Sequence, residues 1–420
     1  MEGRVHKMKC LIMLTGNWTD TEAMKKAPDI SAWIDNYIGN TGNLMFMNAA
    51  RFIAGLPGNS YEFYDWYKMN GDADAYKKEI NENYDCVLYP MANVLQGNTQ
   101  YLQNVIRLIK GITIPVFVLG IGITLDEGVT VHELFQNIQQ PVQEFLDIVG
   151  KSGGAIGCRG YMTKELLDKA GAGELVTATG CPSLYQNGIL HISEDRVPEE
   201  SFRVALNGRV QDFTDRVYRK ALEDKKAVYI CQDQYGKAFY GKKMSLRELI
   251  SQYGYIGTEI FINDRVKYFP DLRVWQQYIS SHVDFSFGTR IHGNLITLLA
   301  GKPACVYLRK GNTDLRVKEL ADFFAVPVVK DMKKRETLYQ LYTESDYSTF
   351  NRTFETNFRN FEEFLKKHGL CESLPTTKNP VFSAEGKLEL TEQTNREELR
   401  EEWAHLGKIQ KFMYEKGIKK

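Results

Sequence analysis

No stretch of this 420-residue chain is apolar for long enough to cross a bilayer. No long apolar run follows the N-terminus as it does in a secretory signal. The expectation is a soluble, cytoplasmic protein, with a peripheral place at the inner face of a membrane left open. Neither sign of charge is in excess: Lys and Arg number 53, Asp and Glu number 53, and the formal net charge is zero. That balance argues against a nucleic-acid partner, which would call for a basic excess, but it allows a local basic pocket. CxxC pairs are missing too. The seven cysteines (Cys10, Cys86, Cys158, Cys181, Cys231, Cys305 and Cys371) are scattered, odd in number and mostly set among apolar neighbours. They read as reduced core thiols. The seven histidines form neither HExxH nor a His/Cys cluster, so no metal is expected. A Gly-rich nucleotide fingerprint, internal repeats, low-complexity tracts and heptads are absent as well.

What is present is alternation. Short apolar runs at 9–15, 85–89, 114–119, 155–159 and 175–178 read as buried strands, with helical periods between them at 44–55, 99–110, 131–149 and 163–170. A polar, proline-containing stretch at 192–201 marks a domain boundary. A second alternating set follows, with strands at 202–206, 227–231, 259–262, 283–287, 304–308 and 326–329. Its helices are expected at 212–223, 245–252, 271–281, 291–300 and 315–324. Two charged, helical segments, 338–368 and 391–416, complete the chain. The pattern predicts an α/β protein with two Rossmann-like, doubly wound parallel-sheet domains joined by a short linker and closed by C-terminal helices. The expected domains are 1–195, 200–335 and a helical extension at 336–420. Ligands of such sheets sit at the carboxyl ends of the strands.

One of those ends stands out: Phe287-Gly288-Thr289-Arg290-Ile291-His292-Gly293-Asn294 joins a strand to a helix. Gly288 permits a tight turn and close approach of a ligand. The first N–H groups of the helix have no intrahelical acceptor and favour an anion. Arg290 offers a planar fork that fits carboxylate or phosphate, and His292 is of the one residue type that ordinarily titrates near neutrality. The structural alternative is an Arg290 paired with a carboxylate and a His292 serving as a satisfied cap.

These residues resemble the polysaccharide pyruvyl transferase family, whose members carry G-x-R-[LI]-H-G after a strand, then a helix, then G-x-P and an apolar strand. Here the series is Gly288 to Gly293, then Gly301-Lys302-Pro303, then Ala304 to Leu308. Asp314 to Leu320 resembles the helix that follows. Weaker likenesses precede it in order: Asn40-Thr41-Gly42-Asn43, Met91-Ala92-Asn93, Leu119-Gly120-Ile121-Gly122, Cys158-Arg159 with Thr163, and Gly180-Cys181-Pro182. Asn43, Gly160 and Cys181 stand where the family usually has Asp. The last 90 residues lie outside the likeness.

The resemblance implies a GT-B-like arrangement and transfer of a pyruvyl unit from phosphoenolpyruvate to two hydroxyls of a sugar. That reaction belongs to cell-surface polysaccharide (exopolysaccharide) synthesis. Phosphoenolpyruvate is then the donor substrate, with no cofactor, and a sugar or lipid-linked saccharide is the acceptor. Arg290, Ile291 and Gly288 would hold the donor, Arg159 would reach it from the first domain, and His292 would carry a proton. Asn17, Asn40, Asn43 and Asn93 sit on loops of the first sheet, where amides can bond sugar hydroxyls or simply serve turns and caps. Arg309, Lys310 and Arg316 are candidates for added positive potential, with a solvated face as the plainer alternative. Two other readings stay open: a GT-B glycosyltransferase using a nucleotide sugar, and a non-catalytic sugar- or phosphate-binding protein.

Overall fold

The structure is a computed structural model that describes residues 8–13, 40–126, 128–233, 235–240, 243–309, 315–332, 336–377 and 395–406. The first domain is a parallel sheet of β1 (Lys9–Ile12), β2 (Ser60–Phe63), β3 (Cys86–Pro90), β4 (Asn93–Leu95), β5 (Val116–Ile123), β6 (Ala155–Cys158) and β7 (Val176–Ala178). Its order is β2-β1-β3-β5-β6-β7, with β4 paired to β5. All eight residues of β5 are buried, as befits a central strand covered on both faces. Its helices are α1 (Asn43–Ala54), α2 (Trp66–Gly71), α3 (Ala73–Asn83), α4 (Gln100–Ile109), α5 (Val131–Lys151) and α6 (Tyr161–Lys169). Helix α5 starts where Thr130 and Glu133 exchange side-chain and backbone bonds in a capping box.

The second domain is a parallel sheet of β8 (Val204–Asn207), β9 (Val228–Cys231), β10 (Val266–Tyr268), β11 (Phe285–Gly288), β12 (Ala304–Tyr307) and β13 (Val328–Val329). The order is β10-β9-β8-β11-β12-β13. That is the 3-2-1-4-5-6 winding of dinucleotide-type sheets, with its switch point between β8 and β11. Helices α7 (Arg216–Glu223), α8 (Gly236–Tyr240), α9 (Leu246–Ile262), α10 (Leu272–His282), α11 (Ile291–Leu299) and α12 (Leu315–Phe324) accompany it. Both sheets are thus parallel and of the Rossmann type, as the alternation predicts.

The extension holds α13 (Leu338–Glu344), α14 (Ser348–Lys367) and α15 (Arg396–His405). Helix α14 buries Phe350, Phe354, Phe358, Phe361 and Phe364, a stripe at helical spacing. Phe361 stacks on Tyr185 at 4.6 Å, and the Asn351 amide bonds both backbone groups of Ile192 in the interdomain linker, at 2.8 and 2.9 Å. Trp403 of α15 packs on Tyr255 of α9 at 4.8 Å.

The structure departs from the expected elements in several places. Glu259 to Ile262, expected to be a strand, is the last turn of α9. A four-residue apolar run fits a strand or a buried helical turn equally well, and here the helix runs on from its Ser245–Glu248 capping box past a kink at Gly254. The strand comes later, after Asp264 turns the chain with φ 58°. The strand expected to stop at Leu119 continues through Gly120 to Ile123. Gly120 has φ +81° at a register shift against β6, a bulge only glycine adopts freely. The helix expected over 212–223 is a 3-10 turn (Val210–Thr214) followed by α7. The segment 338–368 is two helices, split near Ser345. Strands β2 and β4 and helices α2, α3 and α8 are additional to the expected set. Strand β2 is a half-exposed edge strand of polar alternation, and α2 and α8 are short.

Candidate functional site

The turn after β11 is stitched to β8. The Asn207 Oδ1 accepts from the Arg290 N–H at 3.0 Å, and its Nδ2 donates to Asn294 Oδ1 at 2.8 Å. Asn207 and Asn294 are both buried. Asn294 in turn donates to the Gly288 carbonyl at 3.0 Å. A Cβ on Gly288 would lie 1.7 Å from the Asn207 carbonyl oxygen, so glycine here lets two strands meet. Gly288 itself is not among the residues lining the cavity beside it.

That cavity measures about 90 Å3 and lies between the domains. The first domain contributes Asn40, Asn43, Asn93 and Arg159; the second contributes Arg209, Gln232, Thr289, Arg290, Ile291, His292 and Arg316. Among the described residues, four arginines therefore face one small space, and none of the lining residues is a carboxylate. Asn17, Lys310 and Asp314 fall outside the described residues.

The arginines are held from behind. Arg290 pairs with Asp233, so the carboxylate partner of the structural alternative exists, yet Arg290 Nε is buried without a partner among the described residues. Arg159, 2% exposed, donates from Nη1 to Asn93 Oδ1 at 3.0 Å and lies across Gly122, where a Cβ would meet its Cδ at 2.8 Å. The fully buried Asp212 accepts from the Arg209 N–H at 2.8 Å and from Thr289 Oγ1 at 2.7 Å, and it pairs with Arg309. Arg309 thus braces the wall rather than lining the cavity.

The two domains touch at the cavity. The Thr41 N–H donates to the Gln232 carbonyl at 2.7 Å. A Cβ on Gly42 would sit 2.3 Å from Gln232 Oε1 and 2.9 Å from His292 Cβ. Asn40 Oδ1 accepts from the Gly42 N–H at 2.9 Å, which makes it a turn residue as well as a lining one. Gln232 is 1% exposed, and its Nε2 has no partner among the described residues.

His292 is the second residue of α11, 7% exposed. Its ring packs on Phe46 with centroids 5.7 Å apart, and its Nε2 lies 3.9 Å from Cys181 Sγ. Burial first, then the charges of Arg159, Arg290 and Arg316, push its pKa down to about 3. The imidazole is therefore neutral at pH 7.

Reading the sequence locates Arg290, Ile291, His292, Arg159 and the three described asparagines around this space. It misses Arg209, Gln232 and Thr289 as cavity-lining residues, and Asp212 and Asp233 as the carboxylates behind the wall. Arg209 and Gln232 each follow a strand of the second sheet by one or two residues, which is the one signal that points to them.

A two-domain α/β protein with an arginine-lined cleft at a topological switch point is the class these features define. The family model for polysaccharide pyruvyl transferase matches residues 35–311, about two thirds of the sequence. The chain belongs to that family. No curated protein matches the sequence. Among solved structures, a functionally uncharacterised protein of Klebsiella pneumoniae aligns at TM-score 0.40 and 10% identity, over 78% of this chain and 94% of that one. The glycosyltransferase SnogD of Streptomyces nogalater aligns at 0.33 and 11%, over 88% and 97%. The E. coli heptosyltransferase WaaC aligns at 0.28 and 11%, over 86% and 100%. Likenesses this slight carry no argument about function.

Proposed function

We propose that the chain moves a pyruvyl unit from phosphoenolpyruvate onto two hydroxyls of one sugar. The observation that carries this reading is the set of four arginines, from both domains, around one small cavity with His292 at a helix start. Phosphoenolpyruvate presents a carboxylate and a phosphate on three carbons, and charge-assisted bonds from guanidinium groups are the strong ones for both. The cavity is smaller than the roughly 300–1,000 Å3 of sites for drug-sized ligands, which favours a compact donor over a nucleotide sugar. The asparagine side of the cleft would receive the acceptor sugar, free or carried on a lipid. No described helix is long and apolar enough to cross a membrane.

One sugar hydroxyl adds to carbon-2 of the donor and its proton ends on carbon-3, which becomes methyl. The second hydroxyl adds to carbon-2 as the bridging oxygen to phosphorus leaves, and its proton departs with phosphate. His292, neutral before the donor binds, takes up a hydroxyl proton. Burial is the larger cause of its lowered pKa and the guanidinium charges the smaller; the donor's negative charges offset the second and favour the imidazolium that passes the proton on. General acid–base catalysis of this kind is worth about 10²–10⁴-fold.

The test is phosphate release from phosphoenolpyruvate across a panel of sugar acceptors. Release with at least one acceptor, with His292→Ala losing turnover far more than donor binding, is the expected result. A protein that binds a nucleotide sugar and releases no phosphate from phosphoenolpyruvate would be a glycosyltransferase instead.

A further inference from the structure

Helix α6 begins at Gly160 with no side chain to cap it. The backbone there (φ −177°, ψ −172°) is extended and open to any residue, so conformation does not call for glycine. Space does: a Cβ would lie 2.6 Å from the Cγ of Glu319 and 2.9 Å from its Oε1. Glu319 belongs to α12, in the other domain, and is 4% exposed. Its Oε1 accepts from the Thr163 N–H at 2.7 Å, and its Oε2 accepts from Thr163 Oγ1 at 2.8 Å. Thr163 is the third residue of α6, whose N–H an N-cap side chain of the same helix would ordinarily satisfy. Here the cap comes from across the cleft. Thr163 Oγ1 also accepts from the Ile123 N–H at 3.3 Å, which ties the end of β5 into the same junction.

Both ends of this tie carry cavity residues. Arg159 immediately precedes Gly160, and Arg316 precedes Glu319 by one helical turn; both face the cavity, whereas Glu319 does not. Burial raises the Glu319 pKa, and the bonds from Thr163 and the nearby Arg159 charge oppose that rise. A buried carboxylate is costly unless its oxygens are bonded, and each oxygen here has a donor.

We infer that Glu319 is an interdomain positioning residue: by capping α6 of the first domain from α12 of the second, it fixes the spacing of Arg159 and Arg316 across the cavity. Anion affinity then depends on a side chain that never touches the ligand. The inference rests on the proposed function only for the ligand's name, since the geometry asks for an anion.

The test uses the full chain as Glu319→Ala, Gly160→Asp and the double variant. Phosphoenolpyruvate and inorganic phosphate are titrated, Tm is measured, and exchange of the Thr41 amide reports closure at the Gln232 contact. Glu319→Ala should lower Tm and weaken phosphoenolpyruvate binding by about tenfold or more. Gly160→Asp alone should lower Tm, because the new side chain collides with Glu319. The double variant should regain Tm, since the introduced carboxylate can cap α6 from its own chain, while affinity stays low and Thr41 exchanges faster. Should Glu319→Ala fail to fold, the double variant decides by the same readings. Wild-type affinity in Glu319→Ala, or recovery of affinity together with Tm in the double variant, would reduce Glu319 to a helix cap and overturn the proposal. If the wild type binds neither anion, the functional reading falls separately. Positioning is then judged by Thr41 exchange alone, and an unchanged rate in the double variant overturns it.

Discussion

Arg290 Nε, Gln232 Nε2 and Asp233 Oδ1 are buried and lack a partner among the described residues. Orphans of this kind cost about 1–3 kcal/mol each; the first two are donors on residues that line the cavity and mark the wall where an anionic ligand would complete the bonding. Gln232→Met should therefore hold or raise stability while weakening phosphoenolpyruvate binding; chemical denaturation and titration of one sample read both, and unchanged binding removes Gln232 from the site. His292 gives a second prediction. Its pKa is about 3 in the folded chain against about 6.5 unfolded. Between those values the unfolded chain binds a proton that the folded chain does not, so stability falls as pH falls through that window, by about 1.4 kcal/mol per unit. From pH 6.5 to 5 the wild type should lose about 2 kcal/mol more than His292→Asn; parallel losses in denaturant titrations would contradict the buried neutral imidazole. Arg290 and His292 are legible in the sequence because strand, glycine, arginine and helix start are contiguous. Asp233, Asp212 and Glu319 are not, because each matters through a partner distant in sequence that only the fold brings near.

At the scale of elements, the glycines of β5 do two different jobs. Gly120 bends the strand, with a positive φ, whereas Gly122 clears the floor on which Arg159 lies. Gly122→Ala should keep the fold and displace the Arg159 side chain, weakening donor binding about tenfold with a small change in Tm. An equal loss of binding and of stability would show a strand defect instead. The motif alone cannot make this distinction, since it shows two glycines and no neighbours. The same limit explains why 259–262 reads as a strand and folds as a helix. Its apolar residues suit either period, and the capping box at Ser245 and the kink at Gly254 together carry α9 to Ile262.

At the scale of the whole molecule, two parallel sheets present their strand ends to one another, and the site forms only where they meet. The alternation of strands and helices makes the sheets legible. The meeting itself is not, since it depends on Gly42 against Gln232, Glu319 against Thr163, and α14 spanning the linker. We expect the arginine-lined cavity between the domains to bind phosphoenolpyruvate. Titration calorimetry of phosphoenolpyruvate and of UDP into the wild type and Arg290→Lys tests it most directly. One phosphoenolpyruvate per chain is expected, with clearly weaker binding in the variant because a lysine loses the bidentate fork, and no heat from UDP. Binding of UDP with none of phosphoenolpyruvate, or equal phosphoenolpyruvate affinity in the two proteins, would contradict it.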